Sequence, residues 1–153
     1  DFYNVHPRLG TLGDFAVFLQ AADSRGIRVI IDLVVNHTSD EHPWFQSARS
    51  SPDSPYRDWY VWSEREPADR RQGIVFPGEQ KETWTYDRTA GAWYYHRFYR
   101  FQPDLNISNP RVRDEIKKSY EEYVAQVGAD FARSTTHFQE SLNEVLGAGR
   151  KIF

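Results

Sequence analysis

The sequence predicts an α/β fold with a parallel sheet, and two helix-strand patterns carry this prediction. Residues 11–26 place apolar side chains at helical spacing, and residues 27–35 form an apolar run rich in β-branched side chains. A helix that ends at a glycine and leads directly into such a run is typical of a parallel sheet, whose strands are buried on both faces. A second helical pattern at residues 109–127 precedes a shorter apolar run at 129–133.

Both predicted helices carry end signals. Thr11 is a good N-cap with Asp14 in a capping-box position, and Gly26 supplies the residue after the first helix. Asn109 and Pro110 suit the cap and first position of the second helix. The apolar faces, which we interpret as core, consist of Phe15, Phe18, Leu19 and Ala22 in the first helix, and of Val112, Ile116, Tyr120, Tyr123, Val124 and Val127 in the second.

Polar side chains interrupt and end the first apolar run, at Asp32, Asn36 and His37. The carboxyl ends of parallel strands are where α/β enzymes place their chemistry, so these residues are candidates for a functional site. The alternative is that Asp32 and His37 only satisfy backbone groups at a strand end. Spacing alone leaves both interpretations open.

The middle of the chain differs in composition: residues 38–108 are rich in Ser, Pro, Asp and Arg and contain short clusters of aromatic side chains. The aromatic clusters at 57–62, 83–86 and 93–99 predict short strands, and residues 87–91 predict a turn between the last two. The segment is too long for a plain loop in a compact domain and is expected to form a small inserted subdomain.

Composition bounds the function. The 153 residues suffice for one domain or part of a larger one, and a net charge of −3 with mixed signs leaves no nucleic-acid footprint. The absence of cysteine excludes disulfides and thiolate metal sites. No membrane-spanning run or signal peptide is evident, so a cytoplasmic location is expected. The aromatic share of 16% suits both sugar stacking and an ordinary core.

Three motifs together resemble the α-amylase superfamily, glycoside hydrolase family 13. Residues 32–37 (Asp-Leu-Val-Val-Asn-His) are similar to its first signature, and residues 102–106 (Gln-Pro-Asp-Leu-Asn) to the extra signature late in its inserted domain B. Residues 5–12 look like the segment after the second barrel strand. Within the family, residues 74–106 look most like the trehalose synthase subfamily, while oligo-1,6-glucosidases and sucrose isomerases share the same second motif.

This resemblance implies part of a (β/α)8 TIM barrel, from the end of the second barrel strand to about the fourth, with a mostly irregular or β domain B inserted. Residues 1–37 would then be a barrel segment with the second helix and third strand. Residues 38–108 would be the domain B-like insertion. Residues 109–153 would hold the third helix, a degraded fourth strand and a tail helix at 139–146.

The resemblance also implies roles for individual residues. Family members retain anomeric configuration through an Asp nucleophile and a Glu that protonates the leaving oxygen. His37 would bind a sugar hydroxyl, and Asp32 would orient the neighbouring Arg and the nucleophile. Asn36 and Asp104 match positions that bind calcium in many members, or alternatively hydrogen-bond domain B to the barrel. Two oxygen ligands are far fewer than calcium takes, and no cofactor is required for the reaction.

The end of the chain departs from the family pattern. In the second signature Arg133 falls on the family Arg, as a supporting residue, but Thr135 falls on the nucleophile position. A threonine hydroxyl carries no charge, and nothing nearby is built to activate it. The acid/base Glu and third carboxylate belong to later strands, so no catalytic residue is assigned in this chain.

The expected function is therefore that of a partial α-amylase-family enzyme acting on α-glucosides, of the trehalose synthase type, which converts maltose to trehalose and is inactive as this isolated chain. Three explanations for the incomplete family pattern remain open: a fragment of a longer enzyme, a misread end of the sequence, or a diverged non-catalytic relative. The functional alternatives are an oligo-1,6-glucosidase or sucrose-isomerase type of α-glucosidase, and a non-catalytic carbohydrate-binding or scaffold module. The expected partners are α-linked disaccharides or short α-glucans such as maltose and trehalose, with no nucleic acid or membrane and with self-association through exposed sheet edges.

Overall fold

The structure is a computed structural model that describes residues 4–127. The helices are α1 (Leu12–Asp23), α2 (Pro43–Ser50) and α3 (Pro110–Val127), and the strands are β1 (Trp62–Ser63), β2 (Trp84–Asp87) and β3 (Ala92–Tyr95). The described chain divides into two compact units, residues 4–33 with 114–127 and residues 34–113. The predictions for Arg133, Thr135, the strand at 129–133 and the tail helix lie outside the described residues. The three-part division at residues 37 and 108 stays a prediction.

Helix α1 in the first unit begins and ends as predicted. Thr11 Oγ1 accepts from the Asp14 N–H at 3.2 Å, and Asp14 Oδ2 accepts from the Thr11 N–H at 2.8 Å, which completes the capping box. Gly26 has a φ of +68°, and the Ile27 N–H donates to the Ala22 carbonyl at 3.0 Å. This is the Schellman ending that a glycine after the helix predicts.

The predicted strand at residues 27–35 is not formed in the described structure. These residues have no assigned strand, and the Ile30 side chain is 91% exposed rather than buried. The prediction was wrong because a parallel strand is stable only where neighbouring strands satisfy its backbone and cover both faces. None of the strands within residues 4–127 pairs with this run.

The second unit is built on a three-stranded antiparallel sheet in the order β1-β3-β2. The predicted turn between β2 and β3 is present: Asp87 Oδ1 accepts from the N–H groups of Thr89 at 2.9 Å and Ala90 at 2.8 Å, and Gly91 has a φ of +62°. The predicted strand at 57–62 is largely wrong, because Arg57–Trp59 is a 3₁₀ turn and only its last residue enters β1.

An aromatic core joins the sheet to α2, a helix that the sequence analysis did not identify. Phe45 of α2 is 1% exposed, and its ring centroid lies 5.0 Å from that of Tyr60, 5.6 Å from Trp62 and 5.1 Å from Tyr94. His42 caps α2 and is followed by a proline, a helix-start signal that was available in the sequence. The aromatic clusters therefore serve mainly as core.

Helix α3 follows its predicted pattern. Asn109 Oδ1 accepts from the Arg111 N–H at 3.0 Å, and Val112, Ile116 and Tyr120 are buried. The remaining positions of the predicted apolar face lie outside the described side chains. No helix within residues 4–127 is both long and apolar enough to cross a bilayer.

The aromatic core gives a direct stability prediction. Phe45→Ala is expected to lower the free energy of unfolding by about 3 to 5 kcal/mol, since it leaves a cavity among three aromatic rings. Phe101→Ala in the same unit is the matched control, because that ring is 52% exposed and its loss is expected to cost about 1 kcal/mol or less. Urea unfolding monitored by circular dichroism measures both, and equal losses would contradict the assignment of the core.

Candidate functional site

The candidate site is organised by the pairing of two segments that are remote in sequence. Residues 36–40 run antiparallel to residues 101–105, and His37 lies opposite Asp104 in an isolated β-bridge. The backbone bonds are Leu105 N–H to Asn36 O (2.8 Å), Thr38 N–H to Pro103 O (3.1 Å) and Asp40 N–H to Phe101 O (2.9 Å). The first-signature residues and the second motif are therefore brought together as the resemblance implied.

The segment 101–105 is also held on its other side. Leu105 forms a bridge to Tyr60, and the Asn106 N–H donates to the Trp59 carbonyl at 2.7 Å. The Tyr60 and Thr38 hydroxyls lie 2.9 Å apart in the interior, and burial raises the pKa of Tyr60. This hydroxyl pair fixes the residue next to His37, a contact that no sequence motif indicated.

Asp104 is a buried carboxylate, only 6% exposed, with both oxygens engaged. Its Oδ2 accepts from the Asn36 side-chain amide at 3.1 Å, and its Oδ1 accepts from the Arg97 backbone N–H at 2.9 Å. Burial raises the pKa of Asp104 to about 6, against the lowering effect of these hydrogen bonds. Asp104 therefore acts as the internal acceptor that ties the two paired segments together.

His37 presents a half-buried imidazole next to this pairing. Its ring meets the Phe98 ring edge to face, with centroids 5.4 Å apart and an interplanar angle of 72°. Its Nδ1 is buried and has no hydrogen-bond partner among the described residues, and burial lowers the pKa of the ring. A neutral imidazole has one donor and one acceptor nitrogen, which suits a hydroxyl group.

Two further site residues were predicted, of which Arg133 lies outside the described residues. Asp32 is exposed and belongs to the first unit. Sequence reasoning missed Phe98, which lies in the aromatic cluster at 93–99 and contacts His37 directly. That cluster was interpreted only as a strand. Its closeness in sequence to the motif at 102–106 could have indicated that one of its rings lies near the site.

The residues present do not fit a calcium ion in this arrangement. Calcium takes six to eight oxygen ligands, whereas here Asn36 turns its amide nitrogen toward Asp104. No group of three or more histidine and acidic side chains suited to a metal occurs in the described part of the chain. The calcium site stays a prediction, and no step below uses it.

Comparison with known proteins identifies the family. The model of the α-amylase catalytic domain matches residues 1–134. The chain belongs to the α-amylase family. The matched residues include the paired segments that carry His37 and Asp104.

Individual relatives narrow the comparison within this α-amylase family. A trehalose synthase from Pimelobacter sp. (strain R48) is 51% identical over 116 residues, covering 76% of the chain and 20% of the relative. An oligo-1,6-glucosidase from Parageobacillus thermoglucosidasius is 44% identical over 120 residues, covering 76% and 20%. The chain thus spans about a fifth of the length of these curated relatives.

Solved structures of α-glucoside-active enzymes match the fold of this chain. Trehalose-6-phosphate hydrolase of Bacillus licheniformis matches with a TM-score of 0.72 at 35% identity, covering 82% of the chain and 23% of that structure. Isomaltulose synthase of Erwinia rhapontici NX5 matches with a TM-score of 0.72 at 33% identity, covering 82% and 22%. These matches support the α-amylase fold over most of the chain.

The buried carboxylate predicts a distinct pH dependence. Because the folded pKa of Asp104 is raised to about 6, its contribution to stability is complete below the unfolded value of about 4 and is lost as pH rises through 6. Asp104→Asn removes this ionisation, so the difference in unfolding free energy between wild type and variant is expected to change by roughly 2 to 3 kcal/mol between pH 4 and 7.

Urea unfolding at several pH values measures this difference. Asp53→Asn is the control for the substitution itself, because Asp53 is an exposed residue in a turn. A wild-type-minus-Asp104→Asn difference that stays flat from pH 4 to 7 would contradict the buried state of Asp104.

Proposed function

We propose that this chain forms the substrate-supporting part of an α-glucoside-active enzyme of the trehalose synthase type. In that enzyme a retaining double displacement would turn maltose into trehalose inside a closed site. His37 would hydrogen-bond a hydroxyl of the sugar that is transferred. Asp32 would orient the Arg at position 133 and the nucleophile, and a cytoplasmic location remains part of the proposal.

The observation that carries the proposal is the state of the His37 ring. The His37 backbone is fixed by its bridge to Asp104, the ring packs against Phe98, and burial lowers the pKa of the ring, which favours its neutral form. A rigid neutral imidazole in a partly apolar setting is suited to bind a hydroxyl, since little side-chain entropy is lost on binding. The 51% identity to a trehalose synthase supports this substrate class.

The isolated 153-residue chain is proposed to be inactive. Thr135 occupies the nucleophile position of the family motif and carries no charge to attack an anomeric carbon. The acid/base Glu and the third carboxylate would have to come from sequence that the chain does not contain. The chain would therefore contribute binding and orientation, and the chemistry would need residues beyond it.

A second enzyme class is kept because specific relatives favour it. An oligo-1,6-glucosidase is 44% identical, and an isomaltulose synthase shares the fold at 33% identity. An enzyme of this type would cleave or isomerise α-1,6-linked glucosides or sucrose. The products formed from maltose, isomaltose and sucrose discriminate the two, because only the trehalose synthase type is expected to form trehalose from maltose.

A non-catalytic carbohydrate-binding or scaffold module is the alternative from a different class. The intact mass of the protein from its natural source decides between the classes. A mass near 18.0 kDa without maltose turnover would support the module and contradict the enzyme. A much larger mass, with trehalose formed from maltose, would support the enzyme.

Self-association of the isolated chain is also part of the proposal. Large apolar side chains are exposed in the first unit and at the adjoining end of the second, namely Leu9, Val17, Phe18, Ile27, Ile30, Ile31 and Val34. Exposed apolar area of this kind favours association in water. Light scattering at increasing concentration is expected to show a rising average mass, and a constant monomer mass would contradict it.

The sugar contact predicts the effect of His37→Ala. Loss of one hydrogen bond of about 1 to 1.5 kcal/mol should weaken maltose binding to the chain roughly tenfold, while the circular dichroism spectrum stays that of the wild type. In a full-length enzyme that supplies the nucleophilic carboxylate missing at position 135, the same change should cut turnover strongly. Tryptophan fluorescence during a maltose titration measures the binding.

His6→Ala is the matched control, since His6 is exposed in the first unit and has no proposed role. It should bind maltose as the wild type does. Equal affinity of the wild type and His37→Ala would contradict the sugar-contact role of His37. Absence of any maltose response in the wild type would contradict sugar binding by the isolated chain.

A further inference from the structure

His96 is a buried imidazole that neither the sequence motifs nor the proposed function uses. It is 3% exposed, and both ring nitrogens have partners. Nε2 lies 2.9 Å from Thr85 Oγ1, and Nδ1 lies 3.3 Å from the Phe98 carbonyl oxygen. Because a carbonyl can only accept, Nδ1 carries the proton. Burial lowers the pKa of the His96 ring and so favours its neutral form, in which Nε2 accepts from the Thr85 hydroxyl and the two contacts select one tautomer.

These two bonds connect the sheet to the residue that touches His37. Thr85 belongs to β2, and His96 directly follows β3 and donates its backbone N–H to the Thr83 carbonyl at 2.9 Å. From that rigid base the imidazole reaches the carbonyl of Phe98, whose ring contacts the His37 ring. The contacts run without a gap from β2 through His96 and Phe98 to His37.

Other groups hold the neighbouring loop residues, so the hydrogen bond from His96 acts on Phe98 in particular. The Arg97 N–H donates to Asp104, and the Arg100 carbonyl accepts from the Tyr94 hydroxyl at 2.7 Å. His96 is the side chain that holds the carbonyl of Phe98 itself. An apolar residue of similar size would fill the same space but would leave that carbonyl and the Thr85 hydroxyl without their partner, at a cost in stability.

We propose that His96 is a positioning residue that holds Phe98 against His37 and thereby sets the orientation of the His37 imidazole. The consequence for sugar binding rests on the proposed function, whereas the positioning itself does not. The opposing interpretation is that His96 only packs the hairpin. The two differ in whether the His37 ring responds when the bond to Phe98 is lost and the bond to Thr85 is kept.

Two substitutions separate the two bonds of His96. The amide nitrogen of His96→Asn can reach the position of Nδ1 and keep the donor to Phe98, whereas the amide of His96→Gln reaches the position of Nε2 and keeps only the partner of Thr85. The readout is the His37 ring signals in carbon-proton correlation spectra of the 153-residue chain, assigned by their disappearance in His37→Ala. An aromatic ring with its centroid 5.4 Å away shifts these signals through its ring current, so the signals report the position of the Phe98 ring.

Phe98→Leu removes the neighbouring aromatic ring and so gives the His37 chemical shifts expected without it. The proposal expects the His37 signals of His96→Gln to move most of the way toward those shifts, and those of His96→Asn to stay close to the wild type. If Phe98→Leu moves the signals while both His96 variants leave them at the wild-type position, the positioning role is overturned. If both His96 variants move them equally, the bond to Phe98 is not the cause and the role is likewise overturned.

Thr85→Val covers the case in which His96→Gln does not fold. It removes only the hydroxyl that fixes the tautomer, so the His37 signals should move in the same direction by a smaller amount. Unchanged signals would overturn the proposal. The folded state of each variant is checked by urea unfolding.

A maltose titration of the same samples separates this inference from the proposed function. If wild-type His37 signals ignore maltose but follow the substitutions at His96, the positioning role stands and the sugar contact fails. If wild-type signals respond to maltose, His96→Gln should bind it more weakly than His96→Asn. Equal affinities would overturn the link between His96 and binding.

Discussion

The pairing of residues 36–40 with residues 101–105 is the interaction on which the rest of the second unit depends. It joins segments more than sixty residues apart, since the side chains of Asn36 and Asp104 that meet across it are separated by 68 positions. Closing a loop of that length costs roughly 4 kcal/mol beyond a constant. Its three backbone hydrogen bonds contribute on the order of 1 kcal/mol each, so they do not offset this cost alone.

The aromatic core supplies what the hydrogen bonds do not. Tyr60 belongs both to the ring cluster around Phe45 and, through its hydroxyl, to the partner set of Thr38. Packing of α2 against the sheet therefore also stabilises the segment that carries His37. Asp104 contributes specificity of pairing rather than stability, because burial disfavours its charge while its hydrogen bond from the Asn36 amide fixes the register of the two segments.

Features of the fold that depend on neighbouring residues were mostly predicted from the sequence, whereas features that depend on distant residues were not. The capping box at Thr11, the Schellman ending at Gly26 and the turn after Asp87 were predicted, because each is decided by side chains within a few residues. The strand at 27–35 was wrong, because strand formation depends on partner strands and not on the run itself. Helix α2 was missed although its proline and cap were readable.

The same distinction applies to the site. The resemblance linked Asn36 with Asp104 in advance, and the structure joins their side chains by a hydrogen bond. The bridge between His37 and Asp104 was not predicted. The resemblance could not indicate the Phe98 ring, the Tyr60 hydroxyl or the bonds of His96, because these arise from tertiary packing that no short motif encodes. The Phe98 ring contacts the His37 imidazole, and the Tyr60 hydroxyl contacts Thr38, the next residue in the chain.

Amide hydrogen exchange of the Thr38 and Leu105 backbone tests this account most directly. Both N–H groups donate across the pairing, so they are expected to exchange as slowly as the Tyr95 N–H, which donates to the Val61 carbonyl at the centre of the sheet. Exchange of Thr38 and Leu105 as fast as that of exposed loop amides, with Tyr95 still protected, would contradict the claim that the pairing organises the site.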